Sequence, residues 1–265
     1  MIEKYNLIEK KKLDNLFRKK TILVTGGTGS FGKAFVKRLI TDFKSLNKII
    51  VFSRDELKKE KLSFEKEIKE NKKIRFILGD IRDLRSLNSA FQEVDFVIHA
   101  AALKQVVAAE YNPFEFIKTN IIGSQNVIEA CVANNVKHVI ALSTDKASSP
   151  INLYGATKLC SDKLFISSQN IVGGKKTKFT VVRYGNVMGS RGSVLPEFIK
   201  QSRKGYFKIT DKQMTRFNIL LPEAVEMVTW ALDNTIGGEI IIPNGDTIID
   251  TNDIIIVFAE KKFVK

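Results

Sequence analysis

Short apolar runs recur along the chain, each emptying into a polar or glycine-bearing segment and each followed by apolar residues at helical spacing. Residues 21–25 (TILVT) open the series, and Phe31, Phe35, Val36, Leu39 and Ile40 then return every three or four positions. That pattern is strand, turn, helix. Residues 48–52 (KIIVF) predict a second buried strand with the lysine-rich stretch to Lys73 as a solvated helix, and 74–78 (IRFIL) predict a third strand ending at Gly79 and Asp80. A helix through Leu84, Leu87 and Phe91 leads to a strand over 95–99, and a helix over 120–134 leads to one over 138–142. A helix over 154–168 leads to a strand over 179–183. Beyond Arg191 regularity weakens, to a short helix over 195–202, an extended segment over 214–221 and a helix from near Pro222.

Strands and helices alternating in this way predict a parallel sheet with helices on both faces, whose sites gather beyond the carboxyl ends of the strands. The expected fold class is therefore α/β, a Rossmann-like sheet with a small, shortened carboxyl-terminal substrate cap. The expected division is a basic amino-terminal helix over 1–20, a dinucleotide-binding domain over 21–185, and a partly interleaved cap over 186–265.

The turn Gly26-Gly27-Thr28-Gly29-Ser30-Phe31-Gly32 joins the first strand to its helix. Gly26 permits a tight turn, Gly29 lets backbone approach a pyrophosphate, and Gly32 lets the helix pack on the sheet, while the helix start offers N–H groups to phosphates. A mononucleotide loop fits poorly, because no Gly-Lys-Ser/Thr closes the segment. Ser53 and Arg54 end the second strand, and a guanidinium there can pair with a ribose 2′-phosphate; NADP is expected over NAD, with Asp55 leaving the choice open.

Tyr154 and Lys158 lie four residues apart on a predicted helix and so share a face. Lys158 can hydrogen-bond a nicotinamide ribose and strengthen Tyr154 as a base for a sugar hydroxyl. Ser143-Thr144-Asp145-Lys146-Ala147 stands at the mouth of a buried strand just before that helix. One hydroxyl there suffices for hydride transfer; an adjacent acid and amine suit an elimination, in which one group protonates a leaving hydroxyl and another removes a proton beside a ketone.

Composition narrows the partners. The 265 residues are 44% hydrophobic with 16 glycines and 5 prolines, enough for a packed core. Lys and Arg total 43 against 29 Asp and Glu, a net +14. Many of those lysines fall in ordinary helix-face runs, so an acidic small substrate is expected rather than nucleic acid. Cys131 and Cys160 are not spaced as a metal knuckle, His99 and His138 lack further ligands at metal spacing, and no metal is assigned. The first twenty residues alternate charged and apolar groups, resembling neither a secretory signal nor a transmembrane segment, which gives a cytoplasmic expectation; they could also lie on an acidic membrane or a partner.

VTGGTGSFG, GDIRD at 79–83, HAAALKQV at 99–106, KTNIIGSQNVIEA at 118–130, ALSTDKASSPINLYGATKLCSDKLF at 141–165 and VVRYGNVMGSRGSVLPEF at 181–198 resemble the extended short-chain dehydrogenases/reductases that act as UDP-N-acetylglucosamine 4,6-dehydratases. The likeness covers about residues 15–235 and is nearest to the inverting type of pseudaminic acid and capsular polysaccharide biosynthesis. It implies that Tyr154 takes the C4 hydroxyl proton, Thr144 places that hydroxyl, Lys158 supports the phenolate, Lys146 takes the C5 proton, and Asp145 protonates the departing C6 hydroxyl. NADP would be recycled within each turnover, and the product would be UDP-2-acetamido-2,6-dideoxy-β-L-arabino-hex-4-ulose.

The resemblance also implies contacts from Asp80 and Ile81 to adenine, from Ala100, Ala101 and Ala102 to the dinucleotide, and from Lys104 to substrate or cofactor phosphate. Asn120 becomes an organiser of the strand ends. Asn186, Ser190, Arg191, Gly192, Ser193, Thr215 and Arg216 become contacts to the UDP-sugar. Relatives of this type run further and carry a late arginine- and glutamate-containing loop that this tail lacks. An edge over 254–258 is expected to favour a homo-oligomer. The rival readings are a nucleotide-sugar 4-epimerase and a catalytically weak dinucleotide-binding or scaffold protein.

Overall fold

The computed structural model describes residues 11–171, 177–190, 193–205, 211, 213–243 and 248–250. Seven parallel strands form the main sheet in the order β3-β2-β1-β4-β5-β6-β9. They are β1 (Thr21–Thr25), β2 (Lys48–Ser53), β3 (Ile74–Leu78), β4 (Phe96–His99), β5 (His138–Thr144), β6 (Lys178–Tyr184) and β9 (Ile240–Ile241). The order reverses between β1 and β4, which opens a crevice beyond the carboxyl ends of those strands. A second sheet, β10-β8-β7, comprises β7 (Asn186–Val187), β8 (Thr215–Ile219) and β10 (Ile248–Asp250). β9 lies in the main sheet, so the chain beyond residue 185 contributes to both sheets.

Burial on both faces makes the strands near-continuous apolar runs, and successive side chains supply opposite layers. Ile22 and Val24 of β1 join one core with α2 (Ser30–Asp42) and α11 (Leu221–Asn234). Leu23 joins the other, with α5 (Leu84–Ala90), α8 (Gly123–Ala133) and Phe165 of α9 (Leu153–Ile171).

Residues 11–17 form a helix, α1, that buries its apolar face in its own domain. Phe17 is fully buried, its ring edge-on to Phe43 at 4.8 Å and to Phe96 at 5.9 Å. Residues 1–10 and the edge expected over 254–258 lie outside the described residues.

The lysine-rich stretch expected as one helix is two, α3 (Glu56–Ser63) and α4 (Lys66–Lys69). Its apolar anchors Leu62 and Ile68 both join the first core. Six positions apart on one continuous helix, they would point about a third of a turn away from each other. The break lets both inward, and Glu65 within it bridges Lys33 and Lys37 of α2.

Between β4 and α8 lie α6 (Val106–Tyr111), α7 (Pro113–Phe116) and a π-helical turn, Ile117–Ile122. α10 (Val194–Ser202) follows β7.

The α1 packing is open to test. Phe17→Ala should destabilise the fold by about 3–5 kcal/mol in urea unfolding; a loss below about 1 kcal/mol would show that α1 is not part of the core.

Candidate active site

Gly26 has φ +65°, and a Cβ on it would stand 2.8 Å from the Ala101 backbone. A side chain at Gly32 would meet the Gly27 backbone at 2.5 Å. The turn is thus pressed between the β4 loop and α2, with no room for a side chain at Gly26 or Gly32. No side chain caps the start of α2 at Gly29, which leaves a phosphate-sized anion as a fitting partner for the helix start. Thr28 is hydrogen-bonded to Ser53 at 2.8 Å, tying the turn to the end of β2, while the Ala100 and Ala101 N–H groups bond the Thr25 carbonyl and hydroxyl. Phe31 stacks between Phe35 and Tyr184 at 5.7 and 6.3 Å.

Arg54, half exposed, stands 3.8 Å from Asp80, which also receives Arg82 at 2.7 and 3.0 Å. Burial alone would raise the Asp80 carboxyl, but the hydrogen bonds and charge of Arg82, helped by Arg54, hold it below the usual carboxylate range. Ile81 is buried, and its carbonyl accepts from Asn126 at 3.1 Å. Ala102 and Lys104 are exposed on the loop beyond β4. Asn120, in the π-helical turn, bonds both backbone groups of Leu103 at 2.9 and 2.8 Å and the Thr157 hydroxyl at 3.1 Å. It fastens that loop to α9.

β5 ends at Thr144, and a single 3₁₀ turn, Asp145–Ala147, follows. Within it the Asp145 carboxylate accepts from Thr144 Oγ1 at 2.8 Å, from the Lys146 N–H at 3.0 Å and from Lys146 Nζ at 3.1 Å. Lys146 Nζ also donates to Asn186 Oδ1 of β7 at 2.9 Å. The amine therefore sits at the junction of the two sheets.

Helix α9 starts against this turn, its first N–H groups taken by Glu110 (to Leu153, 3.0 Å) and Asn152 (to Gly155, 2.9 Å). A Cβ at Gly155 would overlap the Lys146 carbonyl oxygen. That approach brings Tyr154 beside Thr144, with Lys158 one turn further and almost fully buried. Burial pushes the Tyr154 phenol up to about 12; Thr144 pulls it back, and Asp145 and Asp162 push it up again. Burial also lowers the Lys158 ammonium, and Asp162 opposes that shift.

Asp162, Arg183 and Tyr184 are site residues that the sequence pattern alone does not single out. Asp162 accepts from Ser143 Oγ and from Arg183 Nε, each at 2.8 Å, and Tyr184 is raised by burial and by the neighbouring Tyr154. A signal existed for Asp162, which continues the four-residue step of Tyr154 and Lys158. Arg183 and Tyr184 needed the β5–β6 pairing to be placed.

Of the residues expected to touch sugar nucleotide, Asn186 is brought to Lys146, Ser190 is buried, and the Ser193 N–H bonds the Ser190 carbonyl at 3.0 Å. Thr215 and Arg216 are exposed on β8, whose Asn218 pairs with Asn186. Arg191 and Gly192 lie outside the described residues. His99, bonded to Thr25 at 2.8 Å, is pushed down to about 3 by burial and by the charge of Lys158. His138, bonded to Thr180 at 3.0 Å, falls to about 4, mainly through burial. Among the described residues no cluster could hold a metal, and no helix is long and apolar enough to cross a membrane.

The family model described as polysaccharide biosynthesis protein matches residues 22–262. A Campylobacter jejuni UDP-N-acetylglucosamine 4,6-dehydratase (inverting) is 54% identical over 239 residues, covering 89% of this chain and 70% of its own length. A Rickettsia bellii UDP-glucose 4-epimerase is 45% identical, covering 86% of this chain and 67% of its own. Among solved structures, Pen from Bacillus thuringiensis superposes with TM-score 0.87 at 41% identity, over 92% of this chain and 74% of that one.

The contact at residue 155 is directly testable. Gly155→Ala should lower the melting temperature and reduce turnover at least about 10-fold, since α9 must withdraw from the Asp145–Ala147 turn; unchanged values in thermal melts and steady-state assays would contradict that packing.

Proposed function

The chain belongs to the polysaccharide biosynthesis protein family, and from that membership and the geometry of the site we propose that it is a nicotinamide-dependent UDP-N-acetylglucosamine 4,6-dehydratase that inverts C5. The observation that carries the reading is the Lys146 ammonium held between Asp145 and Asn186, with Asp145 linked through the Thr144 hydroxyl to the Tyr154 phenol. Oxidation at C4 alone needs only the tyrosine, lysine and hydroxyl. An acid and an amine in direct contact at the same mouth add what elimination requires.

A bound nicotinamide dinucleotide supplies the acceptance of hydrogen from C4 and its return at C6. Tyr154 takes the C4 hydroxyl proton. Its phenol stands high without ligand, so it becomes a base only when further positive charge is brought against it than Lys158, one turn below, supplies. Proton transfer along the 3.1 Å Lys146–Asp145 contact leaves a neutral amine beside a protonated carboxyl, the two states that C5 deprotonation and C6 hydroxyl departure need. Those two events return the pair to its starting charges. Lys146 then delivers a proton to the opposite face of C5, and Thr144, bonded to Asp145 at 2.8 Å and touching the phenol, offers the route for the Tyr154 proton back to the carboxylate.

Support for the dinucleotide comes from the cradle at Gly26, Gly29 and Gly32, with Ser30, Thr28 and Phe31 along it. NADP is the preferred form on account of Arg54, although the adjacent Asp80 also draws that guanidinium. Lys104, Ser190, Ser193, Thr215 and Arg216 are assigned to the sugar nucleotide. A homo-oligomer in the cytoplasm completes the reading, supported by the exposed apolar side chains Val107, Tyr111 and Phe114 on α6 and α7.

The Rickettsia relative's name keeps a 4-epimerase in view, and isotope exchange separates the two. Incubation with UDP-N-acetylglucosamine in D2O should give a keto sugar lacking its C6 hydroxyl and carrying deuterium at C5; epimerisation gives neither. Lys146→Ala should retain dinucleotide binding while C5 exchange falls by about 100-fold or more, and exchange at the wild-type rate would refute the assigned base. Fluorescence titration should show a lower Kd for NADP than for NAD, and the reverse order would overturn the cofactor preference.

A further inference from the structure

Behind the catalytic groups lies a charged cluster that the reaction scheme does not use. Asp162 is 1% exposed, and its Oδ2 accepts from two different strands, from Ser143 Oγ of β5 and from Arg183 Nε of β6, both at 2.8 Å. Ser143 immediately precedes Thr144, Asp145 and Lys146. Asp162 itself follows Lys158 by one helical turn, as Lys158 follows Tyr154. A single carboxylate oxygen thus joins the two halves of the candidate catalytic set.

We propose that Asp162 is a positioning residue that locks the strand end bearing Thr144, Asp145 and Lys146 to the helix bearing Tyr154 and Lys158, and that it supplies the counter-charge keeping the buried Lys158 an ammonium ion. The proposal rests on the dehydratase reading only for the roles of Tyr154 and Lys158. Isolated cations are rarely kept in protein interiors without a nearby opposite charge. Asp162 is the carboxylate acting on Lys158, and Arg183 binds the same carboxylate, so the three groups together keep one net positive charge below the phenol.

The other charged or titratable groups around α9 do not substitute for it. Asp145 is occupied by Lys146 in the 3₁₀ turn, and Glu110 of α6 caps Leu153. His99 of β4 is neutral at ordinary pH, and Tyr184 of β6 is a buried phenol raised further by Tyr154. Removing the charge of Asp162 therefore withdraws the influence that raises Lys158, and the ammonium is lost at lower pH.

Protein labelled with ¹³C at lysine Cε, with the Lys158 resonance assigned through Lys158→Arg, reads this directly. Folded Asp162→Asn should show the Lys158 titration midpoint lowered by about one unit; an unchanged midpoint would overturn the counter-charge role. Ser143→Ala keeps the charge but cuts the tie between β5 and α9. It should leave the midpoint in place and the KM for UDP-N-acetylglucosamine unchanged while kcat falls about 10-fold, and wild-type kcat in that variant would overturn the locking role even where Asp162→Asn does not fold. The NMR titration requires no turnover, so a wild-type protein that forms no keto sugar would count against the dehydratase reading while the midpoint still judges Asp162.

Discussion

Helix α9 can begin where it does only because residue 155 has no side chain. Its first turn lies against the carbonyl of Lys146, closer than any Cβ would permit, and the placement of Tyr154 and Lys158 follows from that contact. With α9 there, the Tyr154 phenol reaches Thr144 and Lys158 is carried beneath it into the interior. Asn120 fixes the neighbouring loop to the same helix through Thr157, and Asp162 fixes it to β5 and β6. One permissive backbone position thus unites groups drawn from a strand end, a 3₁₀ turn and a helix face.

The electrostatics follow from the same compactness. Close packing removes water, and removal of water pushes the Tyr154 phenol up and the Lys158 ammonium down, both against their charged forms. Asp162, itself bonded to Arg183, partly offsets this for Lys158, whereas Asp145 and Asp162 raise Tyr154 further and the Thr144 hydrogen bond opposes them; Asp145 and Lys146 pair across 3.1 Å.

Much of this was legible in the chain itself. Short continuous apolar runs mark β1 to β6, and the spacing of glycines after β1 marks the turn, because both are local properties of the sequence. Tyr154 and Lys158 share a helix face by simple spacing. Asn186 was legible as a site residue, yet its contact with Lys146 depends on where a second, three-stranded sheet meets the first. Arg183 and Tyr184 were hidden for the same reason, since pairing between β5 and β6 spans some forty residues of chain. The lysine-rich segment misled because its helical propensity is real, whereas the break at Glu65 is imposed by two anchors that must reach one core.

The proposed dehydration requires acid, amine and phenol to converge on one hexose. A crystal structure of the protein with dinucleotide and UDP-N-acetylglucosamine bound measures that convergence. The account predicts the Tyr154 hydroxyl within hydrogen-bond distance of the C4 oxygen and Lys146 Nζ about 3–3.5 Å from C5, with Asp145 beside the C6 hydroxyl. A hexose bound at the nicotinamide with Lys146 still turned onto Asn186, out of reach of C5, would contradict it.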